Sequence, residues 1–70
     1  MRLTRLAKDP NSATFECPSV YLAENGDLVV QGQMLDDGTA ANLHNLLPGE
    51  VGVRIKASIV EEAVRRLHEC

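Results

Sequence analysis

The sequence predicts an α+β domain in which a small antiparallel sheet of three or four strands carries a C-terminal helix on one face. Asn25-Gly26 separates two apolar runs, and because both residues tolerate positive φ, the pair is the strongest short signal for a β-hairpin. Near the C-terminus, apolar residues recur at helical spacing and form one stripe. We expect the sheet to consist of this central hairpin and residues 50–57.

The N-terminal segment, residues 1–8, fits two structures. Its two leucines have helical spacing, but an extended strand at the edge of the sheet fits so short a run equally well. Pro10 follows among other turn-forming residues, which predicts a mobile connector over residues 9–13. Residues 1–13 are therefore expected to be either an edge-strand arm or a mobile one.

The hairpin has two possible registers. A two-residue loop places Ala23 opposite Leu28, and it brings the like charges of Glu24 and Asp27 together beside the turn. Its two faces carry Tyr21, Ala23, Leu28 and Val30 on one side and Val20, Leu22 and Val29 on the other. A four-residue turn with Gly26 in a bulge shifts the register by one and separates the charges. Neither face is polar, so we expect both to be covered, one of them by a second molecule.

Shorter elements follow the hairpin. Gly32 indicates a bulge, with pairing that extends to residue 34 or 35. Thr39 is expected to cap a helix over residues 40–47, which Pro48-Gly49 ends.

The C-terminal quarter predicts a strand and a helix. Residues 50–57 alternate between apolar and polar, which is typical of a half-buried strand, here with a basic exposed face. Ser58 and Glu61 form a capping box, so the helix should begin at Ile59. Its apolar stripe consists of Ile59, Val60, Ala63, Val64 and Leu67. Its outer side carries two i,i+4 ion pairs, Glu61–Arg65 and Glu62–Arg66.

Length and composition predict one domain, residues 1–70, that needs a partner. A chain of this length buries only about 60% of its unfolded surface, which makes a homo-oligomer or a permanent partner a reasonable expectation. No apolar run reaches bilayer length and the start lacks a signal-peptide core, so we expect a cytoplasmic protein. Cys17 and Cys70 are then expected as free thiols, with a bridge or a metal site left open.

Charge is unevenly distributed behind a net charge of −3. Residues 1–8 contain three cations and no acid, residues 9–53 contain seven acids and no Lys or Arg, and residues 54–70 are nearly balanced. An acidic module of this kind repels nucleic-acid phosphate and favours a cationic protein partner. The same distribution also fits a solvated surface that keeps a small domain soluble.

No group of residues predicts catalysis, and no cofactor or metal is expected. The adjacent acids Asp36-Asp37 precede a glycine, which is typical of a solvated turn. The cysteines and histidines lack zinc-site spacing, and the glycines lack a phosphate-loop context. We therefore interpret the chain as a binding protein and not an enzyme.

Nucleic-acid binding is an alternative. Five cations could align if the N-terminal arm lies near the third strand: Arg2, Arg5, Lys8, Arg54 and Lys56. Residues 49–56 and the helix after them also resemble the strand-helix half of swapped-hairpin antitoxins, with Lys56 where those DNA binders have a proline. A homodimeric structural module is a further alternative.

A second resemblance covers nearly the whole chain from Lys8 onward. It rests on Lys8-Asp9-Pro10-Asn11-Ser12, Cys17-Pro18-Ser19-Val20-Tyr21-Leu22, Leu28-Val29-Val30-Gln31-Gly32, Leu47-Pro48-Gly49-Glu50 and Val53-Arg54-Ile55. These segments are similar to a group of short, uncharacterised actinobacterial proteins encoded beside helix-turn-helix transcriptional regulators. The resemblance implies that the partner is such a regulator. The expected contact residues in the acidic hairpin region are Tyr21, Glu24, Asp27, Val29, Asp36 and Asp37.

Overall fold

Two antiparallel sheets and two helices make up the fold; the structure, a computed structural model, describes residues 1–9 and 18–69. The larger sheet has the order β1-β2-β3 and consists of β1 (Leu3–Lys8), β2 (Ser19–Ala23) and β3 (Leu28–Gln31). The smaller sheet pairs β4 (Gln33–Met34) with β5 (Val53–Arg54). The helices are α1 (Asp37–Ala40) and α2 (Ala57–Glu69). The predicted α+β class, with a C-terminal helix on a small antiparallel sheet, is confirmed.

The N-terminal segment forms an edge strand. β1 pairs antiparallel with β2 from Leu3 opposite Ala23 to Lys8 opposite Ser19, with a bulge between Arg5 and Ala7. This confirms the edge strand among the two structures that the sequence allowed. The strand expected over residues 50–57 does not join this sheet, and β1 takes the third position.

The hairpin adopts the shifted register. Gly26 has φ 94° and donates its N–H to the Ala23 carbonyl at 2.9 Å, which closes a four-residue turn. Ala23 then faces Asp27, whose carbonyl accepts its N–H at 2.8 Å. The two-residue loop is therefore wrong. The left-handed turn residue relieves the expected repulsion, because Glu24 no longer faces Asp27.

The register also changes which side chains share a face. Val20 pairs with Val30, Leu22 with Leu28, and Tyr21 with Val29. Because directly opposed residues point to the same side of a sheet, Val20, Leu22, Leu28 and Val30 form the helix face. Tyr21 and Val29 lie on the opposite, outer face. The grouping expected for the two-residue loop is wrong for this reason.

The core lies between the helix face of the sheet and α2. It consists of Leu6, Ala7, Val20, Ile59 and Ala63, with Leu22, Ile55 and Leu67 packed against it. α2 packs mainly on β1 and β2. Of the predicted stripe, Val60 and Val64 remain 40% and 42% exposed, because the helix turns only its Ile59 and Ala63 side fully into the core.

The start and the ion pairs of α2 differ from the expectation. The helix begins at Ala57, and the Lys56 carbonyl accepts the first helical bond from the Ile59 N–H at 3.1 Å. Ser58 therefore lies inside the first turn, and the capping box is wrong. Glu62 pairs with Arg66 as expected, with 2.8 Å between Oε1 and Nε. Arg65 also pairs with Glu62, and not with the predicted Glu61, because the i,i+3 position lies within its reach.

The helix predicted over residues 40–47 is wrong. Asp36 replaces Thr39 as the N-cap, so α1 begins earlier and ends at Ala40. The Asn42 side-chain amide then donates to the Gly38 and Thr39 carbonyls at 3.3 and 3.4 Å. Asn45 has φ 53°, a left-handed conformation that cannot continue a helix.

Gly32 separates the two sheets and does not form a bulge in β3. A side-chain carbon at this position would lie 2.6 Å from the Arg54 carbonyl oxygen, so β5 can approach only because the residue is glycine. The extension of the hairpin to residue 34 or 35 is wrong, since β4 leaves β2 and pairs with β5. Only Val53 and Arg54 of residues 50–57 form a strand, because Ile55 turns into the core and α2 begins two residues later.

Asp9 joins the end of β1 to the start of α2. Its N–H donates to the Pro18 carbonyl at 2.9 Å, directly before β2. Its carboxylate lies 3.5 Å from the Lys56 amino group, and the two side chains are 10% and 62% exposed. The rest of the predicted connector and both cysteines lie outside the described residues. Neither helix within residues 1–9 and 18–69 has the length and hydrophobicity to span a membrane.

Gly32→Ala is expected to lower the free energy of unfolding by about 1–3 kcal/mol, because the added carbon would overlap a backbone carbonyl. Gly52→Ala is the matched control: its added carbon would meet the Leu35 and Leu43 methyl groups at 2.9 Å, and these can rotate away. Urea denaturation of both variants measures the difference. A loss for Gly52→Ala as large as that for Gly32→Ala would contradict the close approach of the Arg54 backbone.

Asp9→Ala is expected to destabilise the protein more than Lys56→Ala. The lysine head group is exposed, so its loss should cost at most about 1 kcal/mol. Loss of the buried carboxylate should cost about 1–3 kcal/mol. Equilibrium denaturation of the two variants and the double variant gives both values and their coupling. Equal losses in the two single variants would contradict this difference in burial.

Candidate protein-binding surface

The outer face of the larger sheet carries a row of three side chains across its strands. Tyr21 lies opposite Arg5 on β1 and opposite Val29 on β3. Tyr21 is half-buried and Val29 is 36% exposed. The structure thus brings two predicted contact residues, Tyr21 and Val29, into direct cross-strand contact, on the face that α2 does not cover.

A hydrogen bond fixes the Tyr21 ring on this face. The phenol donates to Gln31 Oε1 at 2.6 Å, and Gln31 is the diagonal neighbour of Tyr21 on β3, two residues beyond Val29. Sequence reasoning missed Gln31, because this diagonal arises only in the shifted register. The row therefore presents a preorganised aromatic ring beside an exposed aliphatic side chain, a combination typical of protein interfaces.

The hairpin turn places two acids at one end of the outer face. Asp27 Oδ2 accepts from the Asn25 side-chain amide at 3.1 Å, and its own N–H donates to Asn25 Oδ1 at 3.1 Å. The Glu24 N–H donates to the Arg2 carbonyl at 3.0 Å, which holds the turn against the start of β1. Within the part of the chain that the structure describes, no salt bridge neutralises Glu24 or Asp27.

The other two predicted acids belong to a different part of the fold. β3 leads away from the turn, and β4 then pairs in the smaller sheet before Asp36 and Asp37 are reached. Asp36 caps α1: its Oδ1 accepts from the Thr39 hydroxyl at 2.7 Å and its Oδ2 from the Thr39 N–H at 3.1 Å. These two bonds hold the pKa of Asp36 below its ordinary value, since they favour the charged form.

Two cations of the nucleic-acid alternative, Lys56 and Arg54, have local partners. Lys56 faces Asp9, and Arg54 Nη2 donates to Gln33 Oε1 at 3.0 Å. Arg5 lies in the row beside Tyr21, and Arg2 directly precedes β1. A groove of about 600 Å³ runs between residues 5–8 of β1 and the Ser58, Ile59, Glu62 and Arg66 side of α2. Glu62 offsets the cationic charge there.

Comparison with protein-family models, curated proteins and solved structures finds no match for this chain. Among residues 1–9 and 18–69, no three His, Cys, Asp or Glu side chains are grouped in a way that could hold a metal ion. The geometry of the outer face and the acidic turn is therefore the starting point for function.

Asp36→Asn is expected to make stability less sensitive to acid. Asn also caps helices well, so the cap is retained without its charge. Because the folded pKa of Asp36 is lowered, its stabilisation is complete above the unfolded value of about 3.9 and is lost as the pH falls through the folded pKa. Melting temperatures measured from neutral pH to below pH 3 should fall less in the variant than in the wild type. Parallel curves would show that the cap charge does not contribute.

Proposed function

We propose that this chain is a non-enzymatic regulatory protein that binds another protein through the outer face of its larger sheet. The contact would centre on Tyr21 and Val29, with Glu24 and Asp27 at its rim. The observation that carries the proposal is the cross-strand pair of Tyr21 and Val29 on a face that α2 leaves uncovered.

The small size of the core supports a requirement for a partner. Six apolar residues are buried in the described part of the chain, and three of them are alanines. Large apolar side chains that stay exposed there number twelve. The Cα radius of gyration is 13.2 Å, against about 11 Å for a compact chain of this length. Binding another protein would bury apolar surface that folding alone leaves in water.

The charge at the rim supports a cationic partner. Glu24 and Asp27 are both exposed in the turn, so they favour a protein with a cationic patch. DNA-binding proteins carry such patches. The similarity to proteins encoded beside helix-turn-helix regulators supports such a regulator as the partner.

The experiment is co-purification with any helix-turn-helix regulator encoded beside the gene of this chain, followed by titration at several salt concentrations. The double variant Glu24→Gln, Asp27→Asn should weaken binding by about three- to thirtyfold, since each exposed ion pair is worth up to about 1 kcal/mol. It should also reduce the salt dependence. Tyr21→Ala should abolish binding, whereas Tyr21→Phe, which keeps the ring, should retain most of it.

The matched control is Glu61→Gln, Glu69→Gln. This pair removes the same two charges from α2, on the other side of the sheet, and should leave binding unchanged. Equal weakening by both double variants would show that the net charge of the chain, and not the position of Glu24 and Asp27, affects binding. Retardation of duplex DNA at low salt, lost with Arg54→Ala and Lys56→Ala, would favour the nucleic-acid alternative instead.

A further inference from the structure

β3 offers an unpaired edge with a defined set of backbone groups. No described strand pairs with its outer side. Ala23 donates to the Asp27 carbonyl, so this pair is hydrogen-bonded, and hydrogen-bonded pairs alternate along an antiparallel ladder. Tyr21 and Val29 are therefore hydrogen-bonded to each other. The N–H and C=O groups of Leu28 and Val30 consequently point outward, away from β2.

The two edges of the sheet differ in their protection. β1 carries Arg5 and Lys8 and has a bulge, all features that discourage pairing with another chain. β3 has the sequence Leu-Val-Val-Gln, without charge, proline or bulge. Its three apolar residues are 36–45% exposed. Of the two edges, β3 is thus the one prepared for pairing.

We propose that β3 pairs antiparallel with β3 of a second copy of this chain. Backbone hydrogen bonds across this edge can form only between two residues whose N–H and C=O groups both point outward. Pairing Leu28 with the partner's Val30 satisfies this condition twice and gives four backbone hydrogen bonds centred on the strand. Val29 then faces the partner's Val29 at the two-fold axis.

Charge supports this self-pairing. In the same register Asp27 lies opposite the partner's Gln31, an uncharged side chain whose amide can donate to the carboxylate. The acidic turns of the two copies therefore lie at opposite ends of the paired strands. No like charges meet along the edge, which an acidic protein requires if it is to bind itself.

The register also determines the architecture of the dimer. Because Val29 meets its own copy, the two-fold axis is perpendicular to the sheet, and both α2 helices lie on the same face. Glu62 and Arg66 flank the groove toward β1, so Val60 and Val64, on the other flank of the helix, face β3. The two exposed valine flanks would enclose Leu28, Val30 and their copies in the partner.

Sedimentation of the isolated chain over micromolar to millimolar concentrations tests the proposal without any other protein, so its outcome is independent of regulator binding. The wild type should convert reversibly from monomer to dimer. Val30→Pro removes an outward N–H and should raise the dimer dissociation constant at least about tenfold while far-UV circular dichroism stays unchanged. Leu3→Pro is the matched control: Glu24 donates to the Arg2 carbonyl, so the Leu3 N–H also points outward, but on β1. It should dimerise like the wild type.

A cross-linking pair provides a second test in a background of Cys17→Ser and Cys70→Ser. Val29→Cys should form an intermolecular disulfide, because its copy lies about 4.5 Å away between Cα atoms. Gln31→Cys, on the same face, is the control, since its copy lies about 13 Å away along the strands. If Val30→Pro unfolds the protein, the comparison of Val29→Cys with Gln31→Cys tests the proposal by itself.

Three results would overturn the proposal. They are a wild type that stays monomeric at millimolar concentration, a folded Val30→Pro variant that dimerises like the wild type, and equal cross-linking of Val29→Cys and Gln31→Cys. Disulfide-linked dimers of Val29→Cys, with Gln31→Cys remaining uncross-linked, would place the two-fold axis at Val29.

Discussion

The left-handed conformation of Gly26 is the constraint on which the rest of the structure depends. It closes a turn that shifts the strand register by one residue relative to a two-residue loop, so that Leu22 pairs with Leu28. With that register, Leu28 and Val30 join Val20 and Leu22 on the helix face, while Val29 joins Tyr21 on the outer face. The same register decides which N–H and C=O groups of β3 point toward its free edge. One residue with positive φ therefore determines which β3 side chains lie on the helix face, which lie on the outer face and which backbone groups point to the free edge.

The apolar core of the described residues lies between one side of the larger sheet and α2. Val20 packs against Ile59 and Ala63, and small residues allow the helix to approach the strands closely. β3 lies beyond this contact, so its helix-face side chains remain partly in water. α1 adds nothing to this core, because it contains no buried residue. Stability thus depends on β1, β2 and α2, and the remaining apolar surface is available for binding.

Elements with strong local signals were predictable, and those that depend on competition between neighbours were not. The hairpin and the C-terminal helix follow from Asn25-Gly26 and from one apolar stripe. The short helix moved because Asp36 competes with Thr39 for the cap, and both residue types cap helices well. Tyr21 and Val29 were named from the sequence, but their contact required the register. The pairing of Asp9 with Lys56 has no local signal at all.

That Asp9–Lys56 pair connects the first strand to the last helix, with most of the chain between them. The contact can form only when both of these segments are present, whereas the hairpin forms from neighbouring residues in about 1–10 μs. During synthesis, β1, β2 and β3 leave the ribosome before α2 does. For that interval the Val20 and Leu22 side of the nascent sheet lacks its helix, and the edge of β3 is open as well. The order of these elements along the chain therefore makes the newborn sheet most prone to aggregation in the interval before α2 emerges.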